Sequence, residues 1–344
     1  METTSSDAGP GAIAEHYLAF AEREASGVSE HYAELARAVA RSAELAAFLM
    51  LLPIERRQPN LFFAAVRHVT GEAPEPSELD RVVRAHAESI RSIMLARTTQ
   101  TNEPARCATL LPALARLDGP LALIEVGASA GLCLLFDRYG YDYGRVRIAP
   151  GGPAASAAPV FPCDAGPGTP LPDAVPDIVW RGGLDLNPLD LHAPSDVAWL
   201  QTLIWPGQEA RLQRLRQAID VARSHPPRVV KGDLLNDLPA LAREVPASAR
   251  MVIFHTAVLS YVRDKQARLR FRNTVRDLGA TWICNESPRV FPDISAQIPH
   301  AANNPEPANA SGPSAQGRFL LSVDGRPVAW TGPHGQSIDW IETA

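Results

Sequence analysis

Cysteine is scarce in this chain: four thiols are spread along 344 residues. Cys107, Cys133, Cys163 and Cys284 form no CxxC pair and have no histidine at metal-ligand spacing. A disulfide framework and a structural zinc are therefore not expected; reduced thiols and no metal site are. Long apolar runs are lacking as well. The longest, at 45–53, falls far below the ~20 residues that span a bilayer, so no membrane partner is expected. The first dozen residues, METTSSDAGPGA, lack the basic start and apolar core of a signal peptide, which points to a soluble cytoplasmic protein. Excess positive charge is also missing: the formal net charge is -5. A protein whose main task is to coat a phosphate backbone is thereby disfavoured, and no nucleic-acid partner is expected. Oligomeric state is not legible.

What is present is material for real cores. With 46% hydrophobic and 21% charged residues, the chain suits one large or two ordinary globular domains. Its character changes near Gly119. Residues 13–117 are rich in Ala, Leu, Glu and Arg at helical spacing, as in HYAELARAVARSAELAAFLMLL and ELDRVVRAHAESIRSIML, with breaks at Pro53, Pro59 and APEPSE. This predicts an all-α domain of about five helices over residues 1–118. Beyond it, the apolar segments LALIEV, DIVWRGGLD, PPRVVKGD, ARMVIFH and ATWICNE alternate with helical stretches. Such alternation predicts an α/β domain over 119–344 with a mostly parallel, doubly wound sheet. RFLLSVDG and RPVAWTG, joined at Asp324-Gly325, predict a C-terminal antiparallel hairpin. Residues 143–176 and 299–317, crowded with Gly, Pro and Ala, read as irregular connections. No internal repeat is visible.

The segment LALIEVGASAGL, at 121–132, has the layout of a strand, a tight loop and a helix. A nucleotide-like cofactor fits such a place: Gly127 and Gly131 allow close approach without a Cβ, and a helix start offers free N–H donors. Two acids follow at the ends of later strands. Asp185, closing DIVWRGGLD, is placed to accept hydrogen bonds from ribose hydroxyls, or else to cap the turn before Asn187-Pro188. Asp233, in VVKGDLLNDLP, stands where an acid can meet an adenine amino group, or else caps LLNDL. A dinucleotide fingerprint fits less well. It needs GxGxxG with an acid ~20 residues on, and the nearest such acid, Asp142, lies in YGYDYG.

The order of loop, ribose acid, adenine acid and terminal hairpin resembles class I S-adenosylmethionine-dependent methyltransferases. Glu125, Gly127, Ser129 and Gly131 resemble that family's first motif, with Ser129 standing where the middle glycine is usual. The resemblance implies a Rossmann-like fold, S-adenosylmethionine as cofactor, and Glu125 to Gly131 holding its amino-acid end. Over nearly its whole length the chain also resembles a bacterial family called the domain of unknown function 2332. That likeness rests on RRQPNLFFAAV, RTTQTNE with RCATLLPALARL, EVGASAGLCLLFDRYGYDYG, GLDLNPLDL, LIWPGQEARLQRLR, VVKGDLLNDLP, FHTAVLSY and TGPHGQS. It implies a methyltransferase-like fold and leaves the reaction open.

Several of those phrases hold polar or aromatic residues that no fold demands. His255, following the fourth strand, suits a general base that deprotonates an acceptor, or a buried histidine bonded to backbone; Tyr261 is a second candidate. A sulfonium is a cation, and aromatic faces attract cations by ~0.5 to 2 kcal/mol. Trp205 in LIWPGQ and Tyr141 with Tyr143 in YGYDYG are thus candidates to line the methyl donor, or simply packing anchors. Thr101 or Asn102 before Glu103-Pro104 reads as a helix start, while Gln100 and Arg106 are candidates to cover a pocket. The resulting expectation is an S-adenosylmethionine-dependent transferase acting on a small molecule. Its rivals are attack at the aminocarboxypropyl carbon, including cyclisation with release of methylthioadenosine, and a non-catalytic sensor.

Overall fold

The computed structural model describes residues 9–150, 155–298 and 317–341. They fall into two compact units, divided after Thr101 rather than at residue 118. The first comprises the described residues up to Thr101 together with Pro194–Leu212; the second comprises those of 102–193 and 213–344.

The first unit is helical: α1 (Pro10–Phe20), α2 (Glu30–Arg41), α3 (Ala43–Met50), α4 (Pro59–Thr70) and α5 (Leu79–Ala96), joined by a later helix, Pro194–Thr202. Local chemistry sets the boundaries. The Ser29 and Ser42 hydroxyls accept the N–H of Tyr32 and Leu45, capping α2 and α3. Proline opens α4, and Gly71, at φ 85°, closes it in the left-handed conformation. Tyr32, Leu35, Ala36 and Val39 bury one stripe of α2 at the spacing a helix on a core requires. The core gathers Tyr17, Phe20, Phe62, Phe63 and Trp199.

The second unit opens with α6 (Arg106–Leu114), every residue of which is buried. The strands follow as β1 (Leu121–Val126), β2 (Gly140–Asp142), β3 (Arg147–Ile148), β4 (Val160–Pro162), β5 (Asp164–Ala165), β6 (Ile178–Asp185), β7 (Val229–Lys231), β8 (Arg250–Thr256), β9 (Thr281–Glu286), β10 (Phe319–Val323), β11 (Arg326–Thr331) and β12 (Ser337–Trp340). Nine of them form one sheet in the order β5-β12-β11-β10-β9-β8-β1-β6-β7. From β7 to β9 all pairings are parallel, and β10, β11 and β12 add antiparallel pairings. The expected hairpin is present and extends one strand further. Its turn places Asp324 and Gly325 at φ 50° and 76°, the pair of positive angles a two-residue hairpin turn favours.

Two details depart from the sequence reading. Short strands β3 and β4 pair with β2 in a separate small sheet, inside the stretch expected to be irregular. No α-helix follows the EVGASAGL loop, which runs instead into two single turns of 3-10 helix at Leu132–Leu134 and Phe136–Arg138. Residues 132–136 are all buried, so a helix there would have no face for solvent. The irregular stretch at 299–317 lies, except for Gly317, outside the described residues. No helix among the described residues is long and apolar enough to cross a membrane.

Along β1, Ile124 and Val126 point into the apolar core shared with Ile253, Trp282 and Leu320, while Leu123 and Glu125 point to the opposite face, by the period-two alternation of a strand. The chain runs from β1 outward to β6 and β7, then returns to place β8 on the other side of β1. The strand order reverses between β1 and β8. In doubly wound sheets, ligands bind beyond the carboxyl ends of the strands at that switch point.

Candidate functional site at the carboxyl edge of the sheet

Among the described residues three that are not glycine have positive φ, and two of them lie just past the switch-point strands: Ser129 at 52° after β1 and Ala257 at 55° after β8. Side chains held in this sparsely populated region persist only where their surroundings fix them, and such positions cluster at functional sites. The loop after β1 is fixed by hydrogen bonds. Gly127 N and Ala128 N donate to the Leu184 carbonyl at 2.8 and 3.2 Å, and Gly131 N donates to the Ala128 carbonyl. Ser129 N donates to Asp185 Oδ2 at 2.8 Å, and Leu132 N to Asn102 Oδ1 at 2.9 Å. The glycines matter for protein packing. A Cβ on Gly127 would meet Val258 Cγ2 at 2.3 Å, and one on Gly131 would meet Pro227 Cγ at 2.7 Å. The expectation that these glycines and a helix start leave bare N–H groups for a ligand is therefore corrected: the N–H groups named here are engaged within the protein.

Around this loop the strand ends and α6 bring together buried polar side chains. Asp185 accepts Ser129 N through Oδ2 and Asn187 N, at 2.8 Å, through Oδ1. Asp185, at the end of β6, thus caps the turn that follows, the alternative reading made for it. Arg106, 6% exposed, donates from Nε to the Pro333 carbonyl at 2.8 Å and from Nη1 to the carbonyl and hydroxyl of Thr256, at the end of β8. The TGPHGQS turn lies directly against the start of α6, since a Cβ on Gly335 would meet the Ala105 carbonyl oxygen at 2.1 Å. Asn285, on β9 beside Thr256, accepts the Thr331 hydroxyl through Oδ1 at 2.7 Å. Asn102 is not the helix cap it resembles: α6 starts at Arg106 with no side-chain cap, and the Asn102 carboxamide holds Leu132 instead.

Three atoms of this cluster are buried without a hydrogen-bond partner: Glu125 Oε2, Ser129 Oγ and Asn285 Nδ2. Unsatisfied buried polar atoms are rare because each costs about 1–3 kcal/mol, so each calls for an explanation. Burial holds the Glu125 carboxyl well above the usual carboxylate range; Cys133 and Asp185 push it the same way, and Arg106 opposes them. An acid in this condition is complementary to a cation, which would restore its ionised form.

His255 belongs to the other face. It is fully buried on β8, where its Nδ1 lies 2.7 Å from Glu286 Oε1 and its Nε2 accepts the Trp282 indole N–H at 3.0 Å. Since Nε2 accepts, Nδ1 carries the proton and donates to the carboxylate. No ring nitrogen is left to take a proton from an acceptor, so the general-base expectation is replaced by a positioning role. Glu286 Oε1 also accepts Val258 N and Leu259 N at 2.8 and 3.0 Å. It thereby pins the turn whose Val258 side chain packs on Gly127.

Of the remaining candidates Asp233 stays at the carboxyl edge, where Gly232 N donates to the Asp185 carbonyl, and the others are dispersed. Asp233, just beyond β7, accepts Leu235 N at 2.9 Å and the Asn236 side chain at 3.0 Å, the capping role foreseen as its alternative. Tyr261 is 64% exposed in the turn after β8. Tyr141 is buried in the small sheet and donates to the Phe136 carbonyl at 2.8 Å. Trp205 packs in the helical unit, its ring 5.5 Å from those of Phe20 and Tyr32. The sequence reading missed Thr256, Asn285, Glu286 and Thr331. Their signal was polar residues ending otherwise apolar strands. Among the described residues no group of three or more His, Cys, Asp or Glu is arranged to hold a metal ion.

The profile of a family described as uncharacterized proteins conserved in bacteria (DUF2332) matches residues 14–340. No curated protein and no solved structure matches the chain.

Proposed function

We propose, for a chain that belongs to the DUF2332 family, that the carboxyl-edge cluster binds S-adenosylmethionine and that the protein is a transferase acting on a small molecule. The observation that carries this reading is Glu125: a buried acid with one oxygen unpartnered and its ionised form disfavoured, at the switch point of a parallel sheet. Its natural complement is a cationic ligand, and S-adenosylmethionine carries both an ammonium and a sulfonium.

The engaged N–H groups of the 127–132 loop favour the same choice over a dinucleotide. Pyrophosphate recognition relies on free backbone N–H donors at a helix start, whereas S-adenosylmethionine has no phosphate to hold. Glu125 would face the ammonium, with Asn285 Nδ2 and the Arg106 guanidinium on the carboxylate side. Asp185 would take the ribose hydroxyls and Asp233 the adenine amino group. Bound there, the ligand supplies a carbon activated toward displacement by its sulfonium. The task of this chain is then to orient an acceptor in line and exclude water, which burial of Glu125, Ser129 and Asn285 favours. His255 and Glu286 act at one remove by fixing the turn at Val258.

The test is to incubate the full-length protein with S-adenosylmethionine, alone and with a small-molecule cell extract, and to identify the nucleoside formed. The proposal expects S-adenosylhomocysteine only when extract is present. Methylthioadenosine formed without extract would indicate cyclisation at the same site. Binding with no product would indicate a sensor, and absence of binding would refute the cofactor assignment.

A further inference from the structure

A cleft of about 320 Å³ opens in the helical unit, lined by His31 from the first turn of α2, by Arg67, Gly71 and Glu72 from the end of α4, and by Pro206 and Glu209. That volume lies at the small end of ligand pockets. Its walls are fastened from behind. Arg67 Nη1 donates to the Ile204 carbonyl, and the Ser29 hydroxyl donates to the Pro206 carbonyl at 3.2 Å. The intervening Trp205 is wedged between Phe20 and Tyr32.

On this lining His31 Nε2 is buried with no hydrogen-bond partner. Tyr32, 1% exposed, lies behind the lining against Arg67, and burial pushes its phenol up to about 12, so it backs the guanidinium as a neutral hydroxyl. A half-buried guanidinium and an imidazole thus line the cleft. Glu72 and Glu209 stand exposed on the rim. The backbone has the same polarity: the amino end of α2 carries partial positive charge, and the carboxyl end of α4 partial negative charge.

We propose that this cleft binds a small free α-amino acid. Its carboxylate meets Arg67 and His31; its ammonium faces Glu72, Glu209 and the carbonyl end of α4. A plain anion leaves the glutamates unanswered, and a plain amine leaves Arg67 unanswered. The site shares no residue with the carboxyl-edge cluster, and the inference stands whether or not that cluster binds S-adenosylmethionine.

The test is calorimetric titration of the full-length protein with each common amino acid, using acetate and methylammonium as single-charge probes. At least one amino acid is expected to saturate in the micromolar to millimolar range, with both single-charge probes roughly tenfold or more weaker, the margin one charge-assisted hydrogen bond supplies. Arg67→Gln is expected to weaken binding by a similar factor. Because Arg67 also holds Ile204, the surface pair Glu72→Gln with Glu209→Gln serves as the second variant: it weakens binding while leaving the melting temperature unchanged. Glu125→Gln leaves the affinity as it was. The proposal is overturned if no amino acid saturates, if acetate binds as tightly as the best amino acid, or if the charge variants bind like the wild type.

Discussion

Replacing Asp185 by alanine removes two buried acceptors at once. Its carboxylate receives Ser129 N and Asn187 N, each at 2.8 Å, and the residue is 8% exposed. A hydrogen bond to a charged group contributes about 1.5–3 kcal/mol net, so the two together contribute about 3–6 kcal/mol. Release of Ser129 from φ 52° returns about 1 kcal/mol, the strain of a non-glycine residue in the left-handed region. The expected destabilisation is therefore about 2–5 kcal/mol, and Asp185→Asn, which keeps one acceptor oxygen, should lose about half as much. Urea unfolding followed by circular dichroism measures the total. Hydrogen exchange at the Ser129 and Asn187 amides localises it, since both should exchange faster in the variant. A loss below about 1 kcal/mol with unchanged exchange at those two amides would refute the reasoning.

Other perturbations follow from the same contacts. Gly127→Ala combines a positive φ of 73° with a clash on Val258 and should destabilise by about 2 kcal/mol or more; adding Val258→Ala should recover part of the melting temperature. His255→Phe leaves the Trp282 N–H and Glu286 without their partner and should lower stability by about 2–4 kcal/mol. Its effect on any turnover should track the fraction folded, not a pH profile. For Glu125 the sign is set by burial, which raises the folded value above the unfolded one. Its stabilising contribution is complete below the ordinary carboxylate range and is lost as pH rises through the folded value. Melting temperature against pH should fall more steeply in the wild type than in Glu125→Gln across that window, and parallel curves would contradict the assignment.

Much of the sheet was readable because each long strand is an apolar run bounded by a turn signal. LALIEV, ARMVIFH and ATWICNE became β1, β8 and β9, and Asp324-Gly325 made the turn between β10 and β11. The short strands β3 and β5 were not readable, since two residues carry no period. The missing helix after Gly131 shows the limit of local pattern: LCLLF is apolar enough for a helix but has no polar face, and tertiary burial decided the outcome. In the site, Glu125 and Asp185 could be placed because they end strands. The tautomer of His255 could not, because it depends on Trp282 and Glu286, which lie 27 and 31 residues away. TNEPAR and TGPHGQS stood out as polar phrases, yet only the fold reveals that Arg106 and Gly335 meet across 229 residues of chain.

The most direct test of the carboxyl-edge assignment is hydrogen exchange of the full-length protein with and without S-adenosylmethionine. Added ligand should protect 125–132 and 184–187 in the wild type, with weaker protection in Glu125→Gln and none from NAD⁺. Absence of protection in those segments at saturating S-adenosylmethionine, or equal protection by NAD⁺, would contradict it.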